Sequence, residues 1–128
     1  EIIREWGMEE QCVISSVRLS YLEQVKAVCP ELKTGLILPA AYGRYYEDEN
    51  VDFISIRSSL ANRRLVEAAH EAGRAVHVWT VNRPAELKSM ALSGAGNLIT
   101  DYPARAREIW YEAAASGGIL DSLRMLLR

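Results

Sequence analysis

The chain has 128 residues, 49% of them apolar and 25% charged, a balance that suits one globular domain and is too short for two. A formal net charge of −2, with no basic stripe, gives no reason to expect nucleic-acid binding. No apolar run approaches the roughly 18 residues of a membrane span, and two cysteines, Cys12 and Cys29, are too few for a disulfide scaffold and read as buried or half-buried thiols.

The chain opens at Glu1 with neither an initiator Met nor a signal-peptide pattern. Glu1 to Trp6 reads as mid-helix, the expected look of a piece of a longer protein. Gln11 to Ser16 reads as a short buried strand. A helix is expected from Leu19 to Val28, with Leu22, Val25 and Val28 on one stripe, Ser20 as a cap and Pro30 as a stop. Thr34 to Leu38 is the next strand. Residues Pro39 to Asn50 are polar, aromatic and irregular, with Tyr42, Tyr45, Tyr46 and the acidic run Glu47-Asp48-Glu49. Val51 to Ile56 returns to strand. Ser59 to Ala72 has the helical spacing of Leu60, Leu65, Val66, Ala69 and Ala72, closed by Gly73. Ala75 to Val81 is a strand, Pro84 to Leu92 a helix, Asn97 to Thr100 a strand and Pro103 to Ala115 a helix. Pro84 and Pro103 occupy the first-turn position that tolerates proline. Gly117-Gly118 is expected to break the chain before a last amphipathic segment, Ile119 to Leu127. The expected division is therefore a strand–helix domain, residues 1–115, and a C-terminal tail, residues 116–128.

Repeated strand–helix units of this length predict an α/β fold with a parallel sheet and helices outside it. The pattern fits a doubly wound sheet or part of a (β/α)₈ barrel, and periodicity alone does not choose. No strand runs into Gly-x-Gly-x-x-Gly, which counts against a dinucleotide fold.

Val76-His77-Val78-Trp79-Thr80-Val81-Asn82 resembles the penultimate barrel strand of glycerophosphodiester phosphodiesterases, where Trp-Thr-Val-Asn recurs. The preceding helix, Leu65 to Gly73, resembles that family's matching helix and closing glycine. Gly94-Ala95-Gly96-Asn97-Leu98-Ile99-Thr100-Asp101-Tyr102-Pro103 looks like its last strand, and Val13-Ile14-Ser15-Ser16-Val17 like its Ser-Ser-Phe strand end. These motifs fall in the family's order and cover the chain to about Arg107. Val17 stands where the family usually has Phe, and Gly96-Asn97 replaces Asp-Gly.

The resemblance implies the C-terminal half of a TIM (β/α)₈ barrel. It also implies a parent enzyme that hydrolyses glycerophosphodiesters to sn-glycerol 3-phosphate and an alcohol, in lipid and glycerol metabolism. Such hydrolysis needs a cation against the phosphate charge and an acid–base pair. The family draws these from an N-terminal His-Arg-Gly, a second histidine, and first-half carboxylates that bind a divalent metal, Ca or Mg. None of those motifs is present here, so no catalytic residue and no metal ligand is expected in this chain, which alone should be inactive. The alternative is a non-catalytic module that binds a phosphorylated ligand or a partner. The compartment is left open.

Candidate substrate-binding residues are Trp79, Ser15 and Ser16, all near strand C-termini, where barrel sites lie. Trp79 is implied by the family to pack against the glycerol end; core packing is its bland alternative. The serines can line a cleft or form a turn. His77 shares the Trp79 face one layer deeper and reads as an interior histidine, while His70 lies on an outer helix. Asp101 reads as a helix cap and the acidic run as an exposed loop. A half barrel leaves edges and an inner face open. That face is expected to carry Ile14, Leu36, Ile54 and either Val78 or its neighbours His77 and Trp79, and to drive a homodimer of the chain. A stripe of Leu120, Leu123 and Leu127 in the tail is the other candidate cover.

Overall fold

The computed structural model describes residues 1–40 and 43–126, with side chains up to Ser116. The order is α1 (Ile2–Glu5), β1 (Val13–Ser16), α2 (Leu19–Val28), β2 (Lys33–Leu38), a 3-10 turn (Tyr45–Glu47), β3 (Phe53–Arg57), α3 (Arg63–Glu71), β4 (Ala75–Trp79), α4 (Pro84–Leu92), β5 (Asn97–Leu98) and α5 (Pro103–Leu126).

The strands form one sheet in the order β1-β2-β3-β4-β5, every pair parallel. A doubly wound sheet reverses its strand order at a switch point. Here each strand adds beside the last, and right-handed crossovers that all step one way place their helices on one face. This is the winding of a (β/α)₈ barrel wall.

Register decides which side chains meet those helices. Leu36, Ile54 and Val76 align across the middle strands, and Leu38, Ile56, Val78 and Leu98 form the next row. These rows pack with Leu22, Val66, Ala69, Leu87 and Ala106 of the helices into one core. Each fully buried Leu, Ile or Val contributes about 1.5–3 kcal/mol of burial free energy. The expected inner face is thereby corrected: Ile14, Leu36, Ile54 and Val78 face the helices. The opposite face carries Ser15, Gly35, Phe53 and Ala75 in one row, Ile37, Ser55, His77 and Asn97 in the next, and Arg57 beside Trp79 at the strand ends. The physical reason is that β2 and β3 are buried on both sides. Their apolar runs carry no alternation from which a face can be read.

Other boundaries shift with local chemistry. Ser20 lies inside α2, whose N-cap is Arg18 with no side-chain cap. α3 starts at Arg63 rather than Ser59 because Asn62 Oδ1 accepts from the Leu65 amide at 3.0 Å. Gly73, at φ 75°, supplies the left-handed turn that ends α3, and its amide donates to His70 O at 2.8 Å. The expected break at Gly117-Gly118 does not occur, since the α5 backbone runs unbroken from Pro103 to Leu126. Glycine costs about 1 kcal/mol per helical position but does not block the geometry. Tyr42, Leu127 and the side chains of Leu120 and Leu123 lie outside the described residues.

At the N-terminal end of the sheet, Thr34 is fully buried. Its amide donates to Asp52 Oδ2 at 2.7 Å and its hydroxyl donates to Asn50 O, also at 2.7 Å. Lys26 Nζ reaches the same Asp52 oxygen at 2.7 Å, which ties α2 to the entry of β3. The irregular segment is pinned by Arg74, whose Nε and Nη2 donate to the carbonyls of Tyr46 and Asp48, each at 3.2 Å. Within the acidic run Glu47 and Glu49 are exposed, and Glu47 pairs with Arg44. Cys12 is half-buried and Cys29 buried, both as free thiols. Among the described residues no helix is long and apolar enough to cross a membrane.

Candidate functional site

The strand C-termini on the open face are the candidate site. Trp79 ends β4 there, half-buried, and its carbonyl accepts from the Ser58 amide at 2.8 Å. The Trp79–Thr80 peptide is cis. The ring carries the Arg57 guanidinium 5.4 Å from its centroid, a cation–π contact between neighbouring strand ends. The indole Nε1 is buried and has no hydrogen-bond partner among the described residues.

One layer below, His77 stacks on Phe53 with ring centroids 4.1 Å apart and planes 18° from parallel. Burial pushes the imidazole below its ordinary value, which favours the neutral ring at pH 7. Phe53 in turn lies over Gly35, where a Cβ would stand 2.0 Å from the phenyl ring. The glycine is thus the space into which the aromatic floor of the site folds.

The loops above are clasped together. Asn82 Nδ2 donates to Asp101 Oδ2 at 2.6 Å, while Asn82 Oδ1 accepts from the Asp101 amide at 3.0 Å and from Thr100 Oγ1 at 3.2 Å. Asp101 therefore serves differently from the helix cap expected of it. It is the Thr100 hydroxyl that accepts from the Tyr102 amide just before α5. The clasp fixes the chain leaving Trp79 against the loop after β5.

The sheet separates the candidate serines. Ser15 is exposed on the Trp79 face, in register with Gly35 and three strands from Trp79. Ser16 takes the opposite parity and its Oγ accepts from the Arg18 amide at 3.0 Å, a turn. His70 is exposed on α3. Among the described residues no three His, Cys, Asp or Glu side chains converge as a metal site. These residues do not by themselves fit a divalent cation. Arg57 escaped the sequence reading because it stands one position beyond the expected strand end. Only the β3–β4 register shows that it stands beside Trp79.

The sheet's shape is shared with known barrels. A structure from Silicibacter pomeroyi described as a putative glycerophosphoryl diester phosphodiesterase superposes with a TM-score of 0.75 at 26% identity, covering 86% of this chain and 41% of that one. A phosphodiesterase from Oleispira antarctica, solved in complex with the product sn-glycerol-3-phosphate, gives 0.69 at 22% identity, over 76% of this chain and 40% of that one. In sequence, a glycerophosphodiester phosphodiesterase from Caldanaerobacter subterraneus is 30% identical over 104 residues, which is 79% of this chain. The chain spans 43% of that relative's length. Residues 1–105, which contain every strand and the whole candidate site, match the model of the glycerophosphoryl diester phosphodiesterase family. With the barrel winding, the Trp79 strand end and the last-strand loop all in place, this chain belongs to that family.

Proposed function

We propose that the chain forms the C-terminal, substrate-side part of a phosphodiesterase barrel whose whole hydrolyses glycerophosphodiesters to sn-glycerol 3-phosphate and an alcohol. The observation that carries this reading is the family match over residues 1–105; Trp79, at the C-terminal end of β4, stands on the face where barrel sites lie. The product held by the Oleispira relative supports the substrate class.

In this reading Trp79 packs against the glycerol end of the substrate, and Ser15 lines the same face lower down. Ser16 drops out, because its hydroxyl is committed to a turn. A divalent cation, Ca or Mg, when bound, would neutralise phosphate charge; its ligands come from barrel residues other than those described here. The acid–base pair comes from there too, so residues 1–128 alone lack both parts of the chemistry. What this chain's residues do is shape and orient: the Phe53–His77 stack builds an aromatic floor, and the Asn82–Asp101 clasp holds the loop that follows Trp79.

The test compares the 128-residue chain with the full-length protein on glycerophosphocholine. Metal-dependent turnover is expected only from the full-length protein. In it, Trp79→Ala is expected to lower kcat/KM by about fivefold or more, since loss of a real substrate contact costs on the order of 1 kcal/mol or more. Turnover by the chain alone, or a Trp79→Ala effect within about twofold, would overturn the assignment. A full-length protein that binds sn-glycerol 3-phosphate but turns over no diester would make the chain a binding module instead.

We also propose that the chain alone associates into a homodimer. β1 and β5 are the edges of the parallel sheet, and Ile2, Trp6 and Val28 are 72%, 74% and 68% exposed. Sedimentation equilibrium at micromolar concentration checks this; a cooperative, stable monomer contradicts it.

A further inference from the structure

We infer that Arg57 and Trp79 together form an oxyanion-recognition subsite, and that Arg57 helps determine which diesters the barrel accepts. The inference rests on the proposed phosphodiesterase reading and extends it to a residue outside the Trp-Thr-Val-Asn motif.

Arg57 is the last residue of β3 and is paired in register with Trp79. It is exposed, and its guanidinium sits over the indole at 5.4 Å. Four arginines pair with an acid: Arg4 with Glu31, Arg44 with Glu47, Arg63 with Glu67 and Arg83 with Glu86. Among the described residues Arg57 has no carboxylate partner. A ring face steadies a guanidinium but leaves its in-plane N–H donors free. The Trp79 indole thus holds a full positive charge with free N–H donors at the strand end. The group that completes it is an oxyanion, because a guanidinium forks two N–H donors onto two oxygens.

In a glycerophosphodiester that chemistry has two sources: the phosphate itself, or an acidic group on the alcohol substituent. Kinetics on the full-length protein separate them. Substrates are glycerophosphocholine, with a cationic substituent, glycerophosphoglycerol, with a neutral one, and glycerophosphoserine, which carries a carboxylate. Arg57→Gln keeps length and polarity while removing charge; Arg57→Lys keeps the charge. If Arg57 meets the phosphate, Arg57→Gln lowers kcat/KM on all three by about tenfold. If it meets the substituent, the loss is confined to glycerophosphoserine, and glycerophosphocholine is unchanged or improved. Partial rescue by Arg57→Lys is expected in either case, which a purely packing role would not give. Wild-type kinetics retained within about twofold on every substrate by Arg57→Gln would overturn the inference while leaving the phosphodiesterase reading intact. A wild-type protein that hydrolyses none of the three would overturn that reading and the inference with it.

Discussion

Toward the helices the sheet presents Leu36, Ile54 and Val76, then Leu38, Ile56 and Val78, all 6% exposed or less. Toward the other side it presents Ser15, Gly35, Phe53, Ser55, His77, Arg57 and Trp79. The first face is uniform in chemistry and closed by packing. The second is mixed: a hydroxyl, a missing side chain, a stacked aromatic pair and a cation with no carboxylate partner among the described residues. Burial free energy accounts for the first set completely. It does not account for Arg57, or for a buried indole N–H with no acceptor among the described residues. The difference separates what the fold needs from what the site needs, strand residue by strand residue.

The comparison breaks most readily on the helix face. Ile54 is fully buried, so Ile54→Ala is expected to lower the unfolding free energy by about 2–5 kcal/mol, the cost of lost burial plus a cavity. Ser15→Ala, exposed on the other face, is expected to stay within about 0.5 kcal/mol. Urea unfolding of both variants checks the contrast, and equal losses would mean that the faces are not distinct. Gly35→Ala sharpens it. The new methyl would lie 2.0 Å from the Phe53 ring, so the aromatic floor must shift. A loss of about 1–3 kcal/mol is expected from overpacking. Adding Phe53→Leu should recover part of it, a coupling of about 0.5–3 kcal/mol. Additive losses would show that the ring already had somewhere to go.

What the sequence made legible follows the strength of each local signal. α4 spans Pro84–Leu92 as expected, because proline pre-sets its first turn. Gly73 ends α3 where expected because the left-handed turn demands it. The start of α3 was missed, because two serines resemble a cap and the real one, Asn62, stands further along. The continuous helix through Gly117-Gly118 was missed because glycine is a weak breaker taken for a strong one. In the site, Trp79 was legible from its motif. The inner-face assignment of Leu36 and Ile54 failed, because doubly buried strands erase the period-two signal. Arg57 stayed hidden for a related reason: its meaning lies in which strand end stands beside it, and register is a tertiary fact.

A modest effect is expected away from both faces, at the N-terminal end of the sheet, and it carries a pH signature. Burial alone would raise the Asp52 carboxyl, but the Lys26 ammonium and the Thr34 amide and hydroxyl outweigh it and hold the pKa below the ordinary 3.8. A carboxyl depressed on folding contributes stability that is fully present above its unfolded value and lost as pH falls through its folded one. Asp52→Asn keeps an oxygen for Thr34 but ends the pairing with Lys26 at 2.7 Å. The site is a partly exposed charge pair, so a loss on the order of 1 kcal/mol is expected at neutral pH. The gap between wild type and Asp52→Asn should be constant from about pH 7 to pH 5 and shrink below about pH 4, where the Asp52 carboxyl of the unfolded chain takes up a proton that the folded one still resists. Urea midpoints across that range test it. A gap of the same size at about pH 3 as at pH 7 would show that Asp52 acts through shape or hydrogen bonding rather than charge. The attachment of α2 to the sheet would then owe nothing to the Lys26–Asp52 pair.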